Sequence, residues 1–164
     1  MTGPEVAFTL VALVGVLAGF RIVTSTNVVH AALYLVVTLA SVGAAYLLLA
    51  AEFVAWVQVL IYVGAIVVLV LFALMLTRAP IGREALDNQQ RGLAAIVGLV
   101  VLGGLVYLLW GAFGGKEIQT SVTATAKVGR ALFRGYVLPF EVVSILLLAA
   151  LIGAIVLARK EDAE

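Results

Sequence analysis

Gln58 and Tyr62 stand one helical turn apart inside residues 53–77, an apolar run without a charged side chain. An amide and a phenol both donate and accept hydrogen bonds, so the pair could order water or bond to a neighbouring helix. Gly64 and Ala65 follow and leave almost no side chain beside the pair. Polar groups at this depth in lipid are costly, and both a structural hydrogen bond and a water path would account for them.

The same region predicts a break in regular helix geometry. Gly64 and Ala65 are followed by the β-branched Ile66, which lowers the local preference for an α-helix. The free-energy cost of a π-bulge or a register shift is low at such a place. Gln58, Tyr62, Gly64, Ala65 and Ile66 are therefore candidate coupling or gating residues in the third predicted helix.

A second group of polar side chains falls on one face of a predicted helix. Its members are spaced i, i+4, i+8 and i+11, within about 80° of one another. They are His30, Tyr34, Thr38 and Ser41. Two interpretations stay open, namely hydrogen bonds that help helices pack and a face wetted by a chain of water.

The remaining inventory of reactive groups excludes several kinds of site. The chain has no cysteine and one histidine, so it cannot hold an iron–sulfur cluster, a thiolate metal site or a multi-histidine metal site. Glu52 and Glu141 are the carboxylates nearest the predicted spans, and both fall at span ends. Because no ionisable group is predicted at mid-depth, any proton transport must be shared with other chains.

Five apolar segments must position these residues. The composition is 65% hydrophobic and 12% charged with a mean hydropathy of +1.24, which is typical of a membrane protein. We predict an all-α integral membrane protein in which residues 1–164 form a single membrane domain. The predicted transmembrane helices cover about residues 6–23, 28–50, 53–77, 92–113 and 139–158. Asn27 is the predicted N-cap of the second, and Pro139 and Glu141 are placed in the first turn of the fifth.

Charges outside the spans predict orientation. Six basic residues fall in the loops on one side, against four on the other, and the richer side is expected to be cytoplasmic. The N-terminus is then outside the cell and the C-terminus is cytoplasmic. On the outer side Lys127, Arg130 and Arg134 are spaced i, i+3 and i+7, which fits a short interfacial helix as well as a solvated loop.

Three blocks of sequence carry a resemblance to a known family. They are AEFVAWVQVLIYVGAIVVLVLFALML, NVVHAALYL and LFRGYVLPFEVVSILLLAALIGAIVLARK. Together they resemble the subunit J family of bacterial NADH:quinone oxidoreductase, the respiratory complex I. The resemblance implies a five-span subunit of the membrane arm without a cofactor of its own, with NADH, flavin, iron–sulfur clusters and quinone in other subunits. It also implies partners of the A, H, K and N types and a π-bulge around Tyr62 and Gly64.

The resemblance leads to a functional hypothesis with two alternatives. We expect a non-catalytic subunit of a proton-pumping NADH:quinone oxidoreductase in the bacterial plasma membrane, with neither nucleic acid nor a small-molecule substrate as a direct partner. Its third helix would couple quinone reduction to proton translocation. Some relatives carry glutamate at the position of Gln58, and the amide here orders water without changing charge. The alternatives are a J-like subunit of a cation/proton antiporter or membrane hydrogenase, and a purely structural bundle.

Overall fold

The computed structural model describes residues 3–77, 91–115 and 124–159, and this part of the chain contains helices and turns but no strand. The helices are α1 (Gly3–Thr24), α2 (Val28–Leu48), α3 (Glu52–Leu76), α4 (Arg91–Phe113), α5 (Thr125–Arg134) and α6 (Val137–Ala158). Five of these, all but α5, are long and apolar enough to cross a membrane. The all-α fold with five transmembrane helices is therefore confirmed. Residues 78–90 of the predicted connection 78–91, residues 116–123 of the predicted loop 114–138 and residues 160–164 of the predicted tail 159–164 lie outside the described residues.

The chain divides into two compact units, Met1–Val122 and Thr123–Glu164. Within the first unit, α2 packs against α1 and along all three parts of α3. Close contact with α1 depends on Gly15, where a Cβ would lie 3.1 Å from Ser41 Cβ, whereas Gly19 has no such neighbour within 4 Å. In the second unit, α5 packs against α6. That all five spans form one membrane domain stays a prediction.

Local sequence determines where α2 begins. Asn27 is its N-cap, as predicted, and Asn27 Oδ1 accepts hydrogen bonds from the backbone N–H groups of Val29 at 2.9 Å and His30 at 3.4 Å. These bonds satisfy two of the donors that a helix N-terminus leaves without an intrahelical partner.

The turn from α2 into α3 is a Schellman motif built on alanine. Ala51 N–H bonds to Tyr46 C=O at 2.9 Å and Ala50 N–H to Leu47 C=O at 3.0 Å. Ala50 has a φ of 57°, a left-handed conformation in which glycine is more usual. The strained turn brings α3 back along α2 after only three residues, 49–51.

The start of α6 lies two residues before the predicted one. Tyr136 is the N-cap and Val137 the first helical residue, so Pro139 and Glu141 fall later in the helix than the sequence suggested, and Glu141 lies beyond its first turn. The physical reason is that the first N–H groups of a helix have no intrahelical acceptor, which lets proline occupy any position in the first turn.

Candidate functional site

The third transmembrane helix contains a π-helical segment, Gln58–Ile66, between α-helical parts Glu52–Val57 and Val67–Leu76. At its end, Val67 N–H bonds to Tyr62 C=O, five residues back rather than four. The run around Gly64 predicted a π-bulge or a register shift, and the family resemblance implied a π-bulge in the third helix. The structure confirms the π-bulge. π-helical turns are rare and occur frequently at functional sites.

The π-segment changes which residues of α3 face α2. At about 100° per residue, an uninterrupted α-helix through the buried Ala55 would turn Ile66, Leu69 and Ala73 to the same side. All three are exposed, with Leu69 67% exposed. The inward positions fall one residue later. They are Val67, which is 1% exposed, and the partly buried Val70 and Leu74.

The π-segment thus contains one residue more than α-helical geometry would use between its ends. Because of this extra residue, both α-helical parts of α3 direct an apolar face toward α2. Within the segment Gln58 is buried and Val63 is partly buried, and the other residues are exposed. The π-segment therefore determines which residues of the second α-helical part of α3 face α2.

Gln58 is the polar anchor at the first position of the π-segment. Its side chain is only 9% exposed, and Nε2 donates a hydrogen bond of 3.4 Å to the carbonyl of Leu39 in α2. Among the described residues no buried side-chain polar atom lacks a partner. Tyr62, predicted to share a face with Gln58, is 45% exposed.

Gly43 of α2 is a site residue that the sequence analysis missed. It is buried where α2 meets the start of the π-segment, and a Cβ there would lie 3.2 Å from Val59 Cγ2 and 3.7 Å from Gln58 Cγ. Absence of a side chain lets the two backbones approach closely. The available signal was that Gly43 is the single glycine of α2, flanked by serine, valine and alanines.

Gly64, Ala65 and Ile66 close the π-segment on its exposed side. A Cβ at Gly64 would lie 3.4 Å from the carbonyl oxygen of Val59, five residues earlier in the same segment. The nearest constraint on residue 64 is thus the π-helical backbone itself. The structure brings Gln58, Gly43 and the start of the segment together, whereas Gly64 to Ile66 face away from the described bundle.

The predicted polar stripe of α2 is bonded mainly within its own helix. Thr38 Oγ1 donates to Tyr34 C=O at 3.0 Å, and Ser41 Oγ donates to Val37 C=O at 2.8 Å. His30 is exposed in the first turn of α2. Ser41 also lies on an apolar groove of about 450 Å³ between α1 and α2, where it is the single hydroxyl.

The two span-end carboxylates, Glu52 and Glu141, lie outside the π-segment. Glu52 is the first residue of α3, where a negative charge interacts favourably with the helix dipole, and its side chain is exposed. Glu141 is exposed on α6. No group of three or more His, Cys, Asp or Glu side chains suited to a metal occurs within the described ranges.

Comparison with known proteins gives consistent matches along the chain. Residues 18–157 match the family model described as NADH-ubiquinone/plastoquinone oxidoreductase chain 6. The chain is 45% identical to NAD(P)H-quinone oxidoreductase subunit 6 of the Paulinella chromatophora chromatophore, with 89% of this chain and 73% of the relative aligned. It is 40% identical to F(420)H(2) dehydrogenase subunit J of Methanosarcina mazei, covering 94% and 90%. It is 34% identical to NADH-quinone oxidoreductase subunit J of Escherichia coli, covering 97% and 89%.

Proposed function

Because the chain belongs to the NADH-ubiquinone/plastoquinone oxidoreductase chain 6 family and is a membrane-arm subunit of complex I, we propose that its π-segment couples quinone reduction to proton translocation. The observation that carries this proposal is the one-residue register offset between the two α-helical parts of α3.

A register offset of this kind can switch between two discrete states. Conversion of the π-segment to an α-helix would rotate one part of α3 against the other by about 100° and shift it by about 1.5 Å. The side chains facing α2 would then change from Val67 and Leu74 to Ile66 and Ala73. Such a change opens or closes space beside a polar group without requiring an ionisable residue in the chain.

The packing around the segment supports motion on one side of a fixed anchor. Ala55, 2% exposed, and Gln58 hold the first part of α3 against α2, while Gly64 to Ile66 face outward. A rotation that begins after Val59 can therefore keep the contacts at Gly43 and the bond to Leu39. The polar stripe from His30 to Ser41 would belong to the same coupling path only if water reaches it.

The subunit acts within a larger assembly. It is a multi-pass membrane protein and a subunit of a quinone oxidoreductase. We propose that it has no active site of its own and that NADH, flavin, iron–sulfur clusters and quinone bind in other subunits. We also propose contacts with subunits of the A, H, K and N types, the N-terminus outside and the C-terminus in the cytoplasm.

A second candidate concerns the electron donor. The Methanosarcina mazei relative is named as a subunit of an F(420)H(2) dehydrogenase, and it aligns with nearly as much of this chain as the Escherichia coli relative. An assembly that accepts electrons from a donor other than NADH would use the same coupling segment. Identification of the peripheral subunits that copurify with this chain separates the two donors.

The experiment is deletion of Leu60, which is 69% exposed in the π-segment. Removing one residue permits a continuous α-helix while Ala55 and Val67 keep facing α2, and the shortened span remains longer than the ~30 Å hydrocarbon core. We expect assembled complex at near wild-type amounts and loss of most proton pumping per electron transferred. Pumping and donor oxidation are measured in inverted vesicles and normalised to assembled complex.

The matched control restores chain length within the same segment. Insertion of one alanine after Tyr62 in the deletion variant returns the extra residue, and we expect pumping to recover. Wild-type pumping in the deletion variant would contradict coupling through the π-segment and leave it as a packing feature. Loss of pumping that the alanine does not restore would also contradict the proposal.

A further inference from the structure

Helix α5 presents a basic face that the coupling function does not use. Lys127, Arg130 and Arg134 are exposed and fall within about 60° of one another at 100° per residue. Val128 and Leu132 lie on the other side of the helix and are partly buried. The ten-residue helix, Thr125–Arg134, is thus amphipathic, with its cations directed away from its packed side.

Two features join α5 tightly to a transmembrane helix. Only Gly135 and Tyr136 separate it from α6, and their N–H groups bond to the carbonyl of Ala131 at 2.9 and 3.1 Å. The rings of Phe133 and Phe140 meet edge to face with centroids 5.1 Å apart and planes at 62°. Since ten residues of α-helix span about 15 Å, the three cations remain near the membrane boundary where α6 begins.

The groups beside the basic face are those of a membrane interface. Tyr136 is 61% exposed, and tyrosine is enriched at the level of lipid headgroups. Phe133 is 64% exposed, and phenylalanine is common on the apolar face of interfacial helices. Within the described residues of the second unit, Glu141 forms no ion pair with any of the three cations. Three cations near a headgroup layer complement phosphate, to which guanidinium and ammonium groups donate strong hydrogen bonds.

We propose that the basic face of α5, formed by Lys127, Arg130 and Arg134, binds the phosphate groups of anionic phospholipids. Phosphatidylglycerol is the probe lipid. Each cation near an anionic surface strengthens association roughly five-fold, so loss of all three weakens it on the order of 100-fold. The aromatic residues favour lipid over the competing occupant, an acidic surface of a neighbouring subunit.

The test uses the assembled complex and requires no measurement of pumping. A fluorescent amino acid replaces the exposed Ala131, beside the basic face, and its quenching by the neutral, water-soluble acrylamide is measured in nanodiscs. We expect quenching to fall several-fold when phosphatidylglycerol is added to phosphatidylcholine. High salt should reverse the fall, because screening weakens exposed ionic contacts.

Two sets of variants make the test specific to charge. Lys127→Gln, Arg130→Gln and Arg134→Gln combined should abolish the response to phosphatidylglycerol, whereas Arg130→Lys with Arg134→Lys should keep most of it. If the triple variant does not assemble, the wild-type salt titration and the lysine variant still decide the question.

Two outcomes would overturn the proposal. Equal quenching with and without phosphatidylglycerol in the wild-type complex would show that the basic face does not recognise anionic lipid. Strong shielding of residue 131 already in detergent, unchanged by either lipid, would show that a neighbouring subunit covers the face.

Discussion

At the scale of single residues, the contact between Gly43 and the start of the π-segment determines how closely α2 and α3 approach. Gln58 adds a hydrogen bond to the same place through the carbonyl of Leu39. Gly43 of α2 and the amide of Gln58 in α3 thus hold the N-terminal end of the π-segment against α2. Substitutions of Gly43, Gly64 and Gln58 distinguish an effect on helix packing from an effect on coupling.

Gly43→Val should disrupt the contact between α2 and α3. A Cβ added at residue 43 would lie 3.2 Å from Val59 Cγ2, and the two methyl groups of valine would overpack the contact at a cost of about 1–3 kcal/mol. The matched control is Gly19→Val, because a Cβ there meets nothing within 4 Å. The amount of assembled complex at elevated temperature is the measurement, and equal losses in the two variants would contradict a special role for Gly43.

Gly64→Val should impair coupling more than assembly. Its side chain would crowd the Val59 carbonyl, which a Cβ approaches to 3.4 Å, and would bias the segment away from π geometry. We expect pumping per electron to fall severalfold while assembled complex remains abundant, as measured in inverted vesicles. Gly64→Ala, with one methyl group, should give a milder defect, and wild-type pumping in Gly64→Val would reduce Gly64 to a packing residue.

Gln58→Leu should have the smaller effect on pumping. It removes one long hydrogen bond of 3.4 Å, worth about 0.5–1.5 kcal/mol, and keeps a side chain of similar size. The same vesicle assay compares it directly with Gly64→Val. A larger pumping defect in Gln58→Leu than in Gly64→Val would reverse the order of importance and point to water held by the amide.

At the scale of elements, α3 consists of two α-helical parts whose relative rotation is determined by the π-segment between them. Its N-terminal end is held by the Schellman turn through Ala50. Because α3 is held at its N-terminal end, a change in the π-segment would rotate only the part that follows it, Val67–Leu76. The stability of that turn should therefore influence which part moves.

Ala50→Gly should stabilise the turn between α2 and α3. Alanine at a φ of 57° carries a steric cost that glycine avoids, and after allowing for the greater freedom of glycine in the unfolded chain the gain is about 0.5–1 kcal/mol. Ala45→Gly is the matched control, since Ala45 lies within α2, where glycine should destabilise by about 1 kcal/mol relative to alanine. Hydrogen exchange of peptides covering the turn should slow in the first variant and speed up in the second. The same direction of change in both would contradict the strain argument.

At the scale of the whole molecule, the described helices leave most of their apolar surface exposed. Within the described residues of its own unit, neither α4 nor α6 has a buried residue in its apolar window. Lipid and neighbouring subunits must cover that surface, which agrees with a subunit of a membrane arm. The orientation of the spans then decides which leaflet contains α5.

We predict that the connection 78–91 and the tail 159–164 are cytoplasmic and that the loop 114–138 is outside. Cysteines introduced at Asp87 and Gln119, both outside the described residues, give single labelling sites in a chain without natural cysteine. An impermeant thiol reagent applied to whole cells should label position 119 and not position 87. The reverse pattern would overturn the orientation, and labelling after cell disruption controls for burial of either site.

The sequence alone determined the five apolar spans and the N-cap at Asn27, and it marked the stretch around Gly64 as the place for a π-bulge or a register shift. Each depends on local chemistry, namely hydropathy over a span, one side chain bonded to nearby N–H groups, and low helix preference around Gly64. The family resemblance implied that the break is a π-bulge. Tertiary structure decided what the pattern could not show. The contact at Gly43, the burial of Gln58 and the inward turn of Val67 all depend on the neighbouring helix, and one extra residue in a helix reassigns every face after it.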